Sequence, residues 1–421
     1  MMATPFFYMF SLTFFTWEWY NKTEHIMQEN TMTLKKLPTG VQDILPRECR
    51  VLMNVRERLT RAFEARGYDP VLSAAVEYYD TYAGIRNALE QERMFKFTDS
   101  DGRLLVLRPD ATLSISRIAA TKLQEKHARL YYFLDKWDAQ NGGGVKSREI
   151  IQAGVERLGE EGAFSDAQTI AFAIDCMRET GLSDCIVDIG HVGFMKGLLE
   201  ECGLSDLQAE EVRASLNSKD GLNAERLLRN AGAKEETLAA VRALPTLFGG
   251  AEVFARAKQL TKNARALSAI DHLEQVHRIL SDMGYERSIC FDLGTGKSLS
   301  YYSGIVFSGL VREVGASILS GGRYDGLADD FGKHIPAVGF AIGLKRVLVA
   351  LERQGNLPAQ PVADVAVACE EGAEGEADAL CKQLIAEGKR VTLAAEYGKE
   401  ALSEIDAVKK CYVTKKGVLS V

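Results

Sequence analysis

The stretch Ser147-Arg148-Glu149-Ile150-Ile151-Gln152-Ala153-Gly154-Val155-Glu156 decides how this chain can fold. In an extended strand successive side chains point to opposite faces, so Gln152 and Glu156 lie on the same face as Ile150 and Gly154. Two polar side chains on an otherwise apolar face cost free energy unless a partner satisfies them. A ligand, a salt bridge or a water molecule could each be that partner. The stretch therefore predicts a buried strand that carries a polar site.

The neighbouring segments indicate an α+β fold around this strand. Tyr131–Leu134 is typical of a second strand, and Phe95–Thr98 with Leu104–Leu107 predicts a hairpin around a polar turn. Antiparallel strands with flanking helices make an α+β domain rather than a doubly wound one. Upstream, helical spacing predicts one buried helix face, formed by Leu52, Val55, Leu59 and Phe63.

The rest of the chain predicts a helical insertion and a small C-terminal module. Leucines recur near helical spacing from about 198 to 283, and a last core helix is expected over Val338–Leu351. Gly355–Pro361 is typical of a linker, because it is rich in turn-forming residues. We expect a non-native or disordered extension over 1–31, a core over 32–353, and an α/β module over 362–421.

Composition argues for a cytoplasmic protein without a metal or a cofactor. The net charge is −7, from 51 basic and 58 acidic residues, whereas RNA-binding proteins usually carry a basic face. The eight cysteines form no CxxC pair, so neither a zinc site nor a disulfide framework is indicated. The uncharged run Met1–Trp17 lacks the basic start of a secretory signal. Upstream sequence read in frame is the simpler interpretation, and a weak membrane or partner anchor is the alternative.

Three further segments carry groups suited to a binding site. Asp110 and Thr112 lie two residues apart at the end of a predicted strand, where a carboxylate could hold an ammonium group. Both are also ordinary turn residues. Tyr301 and Tyr302 are adjacent, so on a strand they would face opposite ways, one as a core aromatic and one as a hydrogen-bonding hydroxyl. Gly321-Gly322 would let the backbone approach a ligand closely.

Taken together, these segments resemble the histidyl-tRNA synthetases, which are class II aminoacyl-tRNA synthetases. The stretches Tyr301–Phe307, Gly321–Leu327 and Leu107–Thr112 are similar to that family's amino-acid-binding elements, and Gly339–Arg346 is similar to its motif 3. The resemblance covers about 37–351 well and 362–421 weakly. It implies a class II synthetase-like antiparallel sheet core and a histidine pocket. The residues implied as histidine contacts are Asp110, Thr112, Gln152, Glu156, Tyr301 and Tyr302.

The chain departs from those synthetases where ATP is bound. Asp138 falls at the position of the motif 2 arginine, and an acid there would repel the α-phosphate that the arginine stabilises. Lys297 replaces a second arginine and remains a possible contact for the histidine carboxylate. Arg346 keeps the motif 3 position, where a structural role would suffice. No catalytic residue is therefore predicted.

A kept pocket beside a damaged ATP site resembles the regulatory subunits of ATP phosphoribosyltransferase. That resemblance implies a short-form catalytic subunit as partner, histidine as effector, and a dimer within a hetero-octamer, without nucleic acid or membrane. The alternatives are a divergent histidyl-tRNA synthetase and a free-standing histidine-binding module. A pocket that now only stabilises the fold is a further possibility.

Overall fold

The computed structural model describes residues 36–85, 91–139, 147–200, 202–218, 220–294, 301–357 and 363–421. The chain divides into two compact units between Asn356 and Leu357. The predicted extension over 1–31 and the predicted contact Lys297 lie outside the described residues. Within those ranges, no helix combines the length and apolar character that a membrane crossing requires.

A nine-stranded sheet is the centre of the first unit. Numbered along the chain, its strands are β1 (Asp69–Pro70), β5 (Ala128–Trp137), β6 (Glu149–Leu158), β7 (Ile186–His191), β8 (Phe248–Gly249), β9 (Ile289–Asp292), β10 (Ile305–Leu310), β11 (Leu319–Arg323) and β12 (Ala337–Gly343). Their order is β1-β5-β6-β12-β11-β10-β7-β9-β8. The run from β5 to β7 in that order is antiparallel throughout, and the pairings β1–β5 and β7–β9 are parallel. The predicted α+β class is confirmed.

A smaller sheet contains the predicted hairpin. It consists of β2 (Val76–Tyr78), β3 (Lys96–Thr98) and β4 (Leu104–Leu107), in the order β2-β4-β3 with antiparallel pairings. Gly102 lies in the turn with a φ of 78°, a left-handed conformation that glycine adopts without a steric cost. Strand β4 ends at Leu107, so Arg108 and Asp110 directly follow the hairpin in the chain.

Outside the insertion, the described residues of the first unit form five α-helices. They are α1 (Pro46–Glu64), α2 (Asp80–Ala83), α3 (Ala111–Thr121), α4 (Gly162–Glu179) and α11 (Leu344–Arg353). The predicted face of α1 is confirmed, because Leu52, Val55, Leu59 and Phe63 are all buried. Helix α4 is buried over most of its length and packs against the sheet, with Ile170, Ile174 and Met177 inaccessible to solvent.

Between β7 and β9, the part of the chain that the structure describes forms six α-helices. They are α5 (Val192–Glu200), α6 (Asp206–Asn217), α7 (Gly221–Asn230), α8 (Glu235–Ala243), α9 (Glu252–Gln259) and α10 (Ala264–Asp282). Helix α10 packs against both α4 and α5. Its buried residues Ala266, Ile270 and Leu273 recur at helical spacing, which is the pattern that indicated helices here. The short strand β8 joins this region to the edge of the large sheet.

The predicted helix over Val338–Leu351 is wrong in its first half. Ala337–Gly343 forms β12, which pairs with β6 on one side and β11 on the other, and α11 begins only at Leu344. Nearly all of β12 is buried on both faces of the sheet, so its sequence is an apolar run without alternation. Periodicity alone cannot distinguish such a run from a buried helix.

The described residues of the second unit form a four-stranded sheet and one α-helix. The strands are β13 (Ala363–Cys369), β14 (Val391–Leu393), β15 (Ala407–Thr414) and β16 (Gly417–Ser420), in the order β14-β13-β15-β16, and the helix is α12 (Glu374–Ala386). Strand β13 pairs parallel with both neighbours, and β15–β16 is the terminal hairpin. Its small core includes Val365, Val367 and Val413.

Candidate functional site

The six predicted histidine contacts lie around one cavity in the first unit. The cavity measures about 50 Å³, and four adjacent strands, β5, β6, β12 and β11, contribute to its walls. At the 10–15 Å³ that one water molecule needs, this volume holds about four waters, which is the scale of a small ring. The cavity is lined by the predicted Asp110, Thr112, Gln152, Glu156, Tyr301 and Tyr302, and by four polar residues that were not predicted as contacts, Tyr132, Lys136, Ser320 and Tyr324.

Glu156 is the most buried polar group of this pocket. Its side chain belongs to β6 and is only 1% exposed. Oε1 accepts a hydrogen bond of 2.9 Å from the Thr112 hydroxyl, and Oε2 accepts one from the Tyr324 hydroxyl. Burial raises the pKa of Glu156 to about 8, although these hydrogen bonds favour the charged form. The carboxyl group is therefore largely protonated at pH 7 and can both donate and accept hydrogen bonds.

Glycine is required opposite this carboxyl group. Gly339 on β12 pairs with Glu156, and a Cβ atom added at Gly339 would overlap Glu156 Oε2 and the Val155 carbonyl oxygen. A side chain at 339 would therefore displace the carboxyl group from the cavity. The glycine at this position is explained by the polar residue that it faces.

Asp110 and Thr112 reach the cavity from the first turn of α3. Asp110 is the N-cap of this helix, and its Oδ1 accepts a 3.0 Å hydrogen bond from the Leu113 amide. Arg108 fixes the preceding segment by donating to the Asp135 carbonyl oxygen at 2.7 and 3.0 Å. Asp110 is 5% exposed, so its carboxylate is available only to something inside the cavity.

The two adjacent tyrosines do not face opposite ways, contrary to the prediction. Tyr301 and Tyr302 lie in the turn before β10, which begins at Ile305, so strand alternation does not apply to them. Their ring centroids are 5.0 Å apart, and both rings line the cavity. A Cβ atom at Gly322 would come within 2.6 Å of the Tyr302 ring. Gly322 therefore makes room for a tyrosine, rather than for a ligand as expected.

The ATP-site positions show how the departures are accommodated. Arg93 donates from Nε to both carboxylate oxygens of Asp138, at 3.3 and 3.2 Å, so the acid at the motif 2 position has a cation from within the chain. Arg346 is exposed and donates to the Ser317 carbonyl oxygen. Neither Asp138 nor Arg346 lines the cavity, and no arginine does so among the described residues. Among the described residues, no group of three or more His, Cys, Asp or Glu side chains is arranged so that it could hold a metal ion.

The three largest polar residues that line the pocket without having been predicted as ligand contacts are Tyr132, Lys136 and Tyr324. Tyr132 lies opposite Gly154, where a Cβ atom would overlap its hydroxyl group. Tyr132 and Lys136 occupy the same face of β5, and alternation from Tyr131–Leu134 could have indicated this. Tyr324 comes from the Gly321–Leu327 stretch, but its bond to Glu156 joins residues 168 positions apart.

A buried ion pair lies next to the pocket and connects it to the insertion. Arg323, the neighbour of Tyr324, donates to Asp166 Oδ1 from Nε at 2.9 Å and from Nη2 at 2.6 Å. His272 of α10 places Nε2 2.8 Å from Asp166 Oδ2. Burial alone would raise the pKa of Asp166, but its hydrogen bonds to His272 and Arg323 lower it. A second link is made by Lys196 of α5, whose ammonium group donates to the Tyr302 carbonyl oxygen at 3.2 Å.

Comparisons with known proteins give one consistent result. A family model described as histidyl-tRNA synthetase matches residues 40–347. An ATP phosphoribosyltransferase regulatory subunit from Acetivibrio thermocellus is 40% identical over 356 residues, which is 84% of this chain and 85% of that protein.

Two crystal structures confirm the fold. One is described as an ATP phosphoribosyltransferase regulatory subunit/histidyl-tRNA synthetase from Bacillus halodurans. It aligns with a TM-score of 0.81 and 26% identity over 98% of this chain and 100% of that one. The histidyl-tRNA synthetase of Nostoc sp. PCC 7120 aligns with a TM-score of 0.77 over 92% and 96%, and at 19% identity it supports the fold alone. This chain therefore belongs to the family of ATP phosphoribosyltransferase regulatory subunits, which are relatives of histidyl-tRNA synthetase with the class II synthetase-like α+β fold.

Proposed function

We propose that this chain is the regulatory subunit of an ATP phosphoribosyltransferase in histidine biosynthesis, and that it binds histidine in the pocket around Glu156. It has no catalytic role of its own in this proposal. It supports the activity of a short-form catalytic subunit and transmits feedback inhibition by histidine. The observation that carries the proposal is a polar pocket on the scale of a small ring, lined by all six implied histidine contacts, to which the described residues supply no arginine.

The polar groups of the pocket suit the functional groups of histidine. The carboxylate of Asp110 can hold an α-ammonium group by a charge-assisted hydrogen bond. A neutral imidazole has one donor and one acceptor nitrogen, and the protonated carboxyl group of Glu156 can serve either of them. The hydroxyl groups of Thr112 and Tyr324 hold that carboxyl group in place. Gln152, Tyr301 and Tyr302 would surround the bound amino acid.

The same surroundings argue against activation of histidine by ATP. Adenylate formation needs a cation where charge develops on the α-phosphate. By the resemblance, Asp138 takes the sequence position of that cation, and its carboxylate is bound to Arg93. We therefore expect no histidine-dependent exchange of pyrophosphate into ATP, which a divergent synthetase would catalyse.

Feedback requires that histidine binds more tightly to the inhibited arrangement of the complex than to the active one. This coupling is reciprocal, because a ligand shifts an equilibrium only by its differential affinity for the two states. A free-standing histidine-binding module would bind histidine equally well with or without a catalytic subunit. The two functions therefore differ in whether the catalytic subunit changes the histidine affinity of this chain.

The decisive measurement is phosphoribosyl-ATP formation by a short-form catalytic subunit, with and without this chain, at several histidine concentrations. We expect activation by this chain and reversal of that activation by histidine. Glu156→Gln should raise the inhibitory histidine concentration at least about tenfold, the equivalent of one lost hydrogen bond to a polar ligand, while Glu211→Gln, a change on the exposed surface of α6, should leave it unchanged. Absence of activation with a folded cognate catalytic subunit would refute the proposal.

We further propose that the chain self-associates as a dimer within a hetero-octamer. Apolar side chains are exposed on and beside the small sheet, with Leu72 81% exposed and Tyr78 47% exposed. Exposed apolar side chains that are grouped together mark interaction sites, and we propose that these form such a group. Light scattering measures the mass of the free chain, expected to be that of a dimer, and the mass of its complex with the catalytic subunit, expected to be that of a hetero-octamer. Leu72→Asp should shift the free chain toward the monomer.

A cytoplasmic location is part of the same proposal. All eight cysteines are free thiols, and most of them are buried. Such unpaired thiols persist in a reducing compartment.

A further inference from the structure

Lys136 is a cation in the pocket that has no partner there. It lies near the end of β5 and lines the same cavity as Asp110 and Glu156. Its ammonium group makes no hydrogen bond or ion pair with any residue that the structure describes. Lys345, by contrast, forms an ion pair, because its Nζ lies 3.1 Å from Glu149 Oε2. A half-buried ammonium group without a partner is costly unless something that enters the cavity satisfies it.

The strand register places Lys136 at one end of the pocket and Glu156 at the other. On β5 and β6, Leu130 pairs with Glu156, Leu134 with Gln152 and Lys136 with Ile150. Tyr132 and Lys136 share a face and are separated by about 13 Å along the strand, at about 3.3 Å per residue. The pocket is thus polarised, with a buried carboxyl group at one end and an ammonium group at the other. The flexible four-carbon stem of lysine can reach back toward Gln152.

The charges of the pocket balance for a zwitterion. At pH 7 the protonated form of Glu156 contributes no charge, because burial raises its pKa to about 8. Asp110 then contributes one negative charge and Lys136 one positive charge. An α-amino acid with a neutral side chain presents the complementary pair, an ammonium group for Asp110 and a carboxylate for Lys136. A simple amine would leave Lys136 without a partner.

We propose that Lys136 binds the α-carboxylate of the effector, so that the pocket selects a zwitterionic amino acid over an amine with the same side chain. The proposal rests on histidine binding to this pocket, and it goes further by assigning the group that recognises the carboxylate. The sequence had indicated Lys297 for this contact. Although Asp138 replaces the motif 2 arginine, Lys136 still offers the cavity a cation two residues earlier, near the end of β5.

The test compares two ligands on three variants by isothermal titration calorimetry. L-Histidine carries the carboxylate, and histamine has the same imidazole and ammonium groups without it. A charge-assisted hydrogen bond contributes enough that Lys136→Met should weaken histidine binding about 10- to 100-fold. Histamine binding should change less than about twofold, because it makes no such bond. Lys136→Arg should retain most of the preference for histidine, and Lys122→Met, an exposed change at the end of α3, should behave like the wild type.

The possible results separate this inference from the proposed function. If Lys136→Met binds histidine as tightly as the wild type, while Glu156→Gln weakens binding, the role of Lys136 is refuted and the pocket stands. If Lys136→Met weakens histidine and histamine equally, the residue acts on the shape of the pocket and the carboxylate assignment is wrong. If histidine does not bind the wild-type chain at all, the proposed function fails and this inference fails with it.

Discussion

Replacing Glu156 by Gln should change how the stability of the first unit depends on pH. The ordinary pKa of a glutamate is 4.5, and burial raises the pKa of Glu156 to about 8 in the folded chain. Between these values the folded state keeps a proton that the unfolded state has lost. The contribution of Glu156 to the free energy of unfolding of the wild type therefore falls by about 1.4 kcal/mol for each pH unit in this window, and this contribution is complete only below pH 4.5.

The amide side chain of the Glu156→Gln variant does not titrate, so the variant lacks this loss. From pH 5.5 to 7.5 the difference in unfolding free energy between variant and wild type should shift by roughly 2.7 kcal/mol in favour of the variant. A constant offset is also expected, because the amide must turn its NH₂ group toward the hydroxyl of Thr112 or Tyr324. That offset does not depend on pH, so the slope is the informative quantity. The other groups that face Glu156 are Asp110 and Tyr132.

The slope of the unfolding free energy against pH is measured by urea denaturation at several pH values, with the fluorescence of Trp137 on β5 as the signal. Trp17 and Trp19 should be replaced by Phe in both proteins, so that only the first-unit sheet is observed. Glu211→Gln serves as the control and should keep the wild-type slope. If the wild type and Glu156→Gln give parallel curves between about pH 5.5 and 7.5, Glu156 is ionised in the folded chain and the reasoning is wrong.

Three further substitutions test the surroundings of the pocket. Thr112→Val removes the 2.9 Å hydrogen bond to Glu156, and at about pH 8 we expect a loss of about 1 kcal/mol of unfolding free energy in urea denaturation; an unchanged midpoint would contradict this. Gly339→Ala places a methyl group on the Glu156 carboxyl group, so a loss of about 1–3 kcal/mol and of histidine binding should appear in denaturation and calorimetry; unchanged binding would contradict the packing described. Asp166→Ala leaves the Arg323 guanidinium buried without its main partner, and a loss of about 3–5 kcal/mol is expected. Thermal unfolding within about 2 °C of the wild type would contradict this last prediction.

The parts of the fold that sequence predicted depend on local patterns. The alternation of Gln152 and Glu156 correctly indicated a strand with two polar groups on one face, because period-two patterning is a property of the strand alone. The helix face formed by Leu52, Val55 and Leu59 followed from spacing for the same reason. The six histidine contacts implied by the family resemblance converge on one cavity, and their role in binding stays a prediction.

The parts that sequence could not predict depend on partners distant in the chain. Val338–Ile342 forms a central strand because β6 and β11 pair with it along its two edges. Its own residues are apolar and would suit a buried helix equally well. Asp138 was interpreted only as a repulsive acid, because Arg93 lies 45 positions away. The sequence around Tyr324 has no local feature that tells whether its ring only packs in the core or whether its hydroxyl group also donates a hydrogen bond to Glu156.

Asp166 has a consequence for any attempt to shorten this protein. The six helices between β7 and β9 look like a removable module, yet α10 supplies His272 to a carboxylate that also holds Arg323 beside the pocket. Excising the helices would remove His272 from the Asp166 carboxylate. The same change would expose this fully buried carboxylate to solvent. A shortened form of this chain must therefore either keep α10 or redesign Asp166 and Arg323 together as a neutral pair.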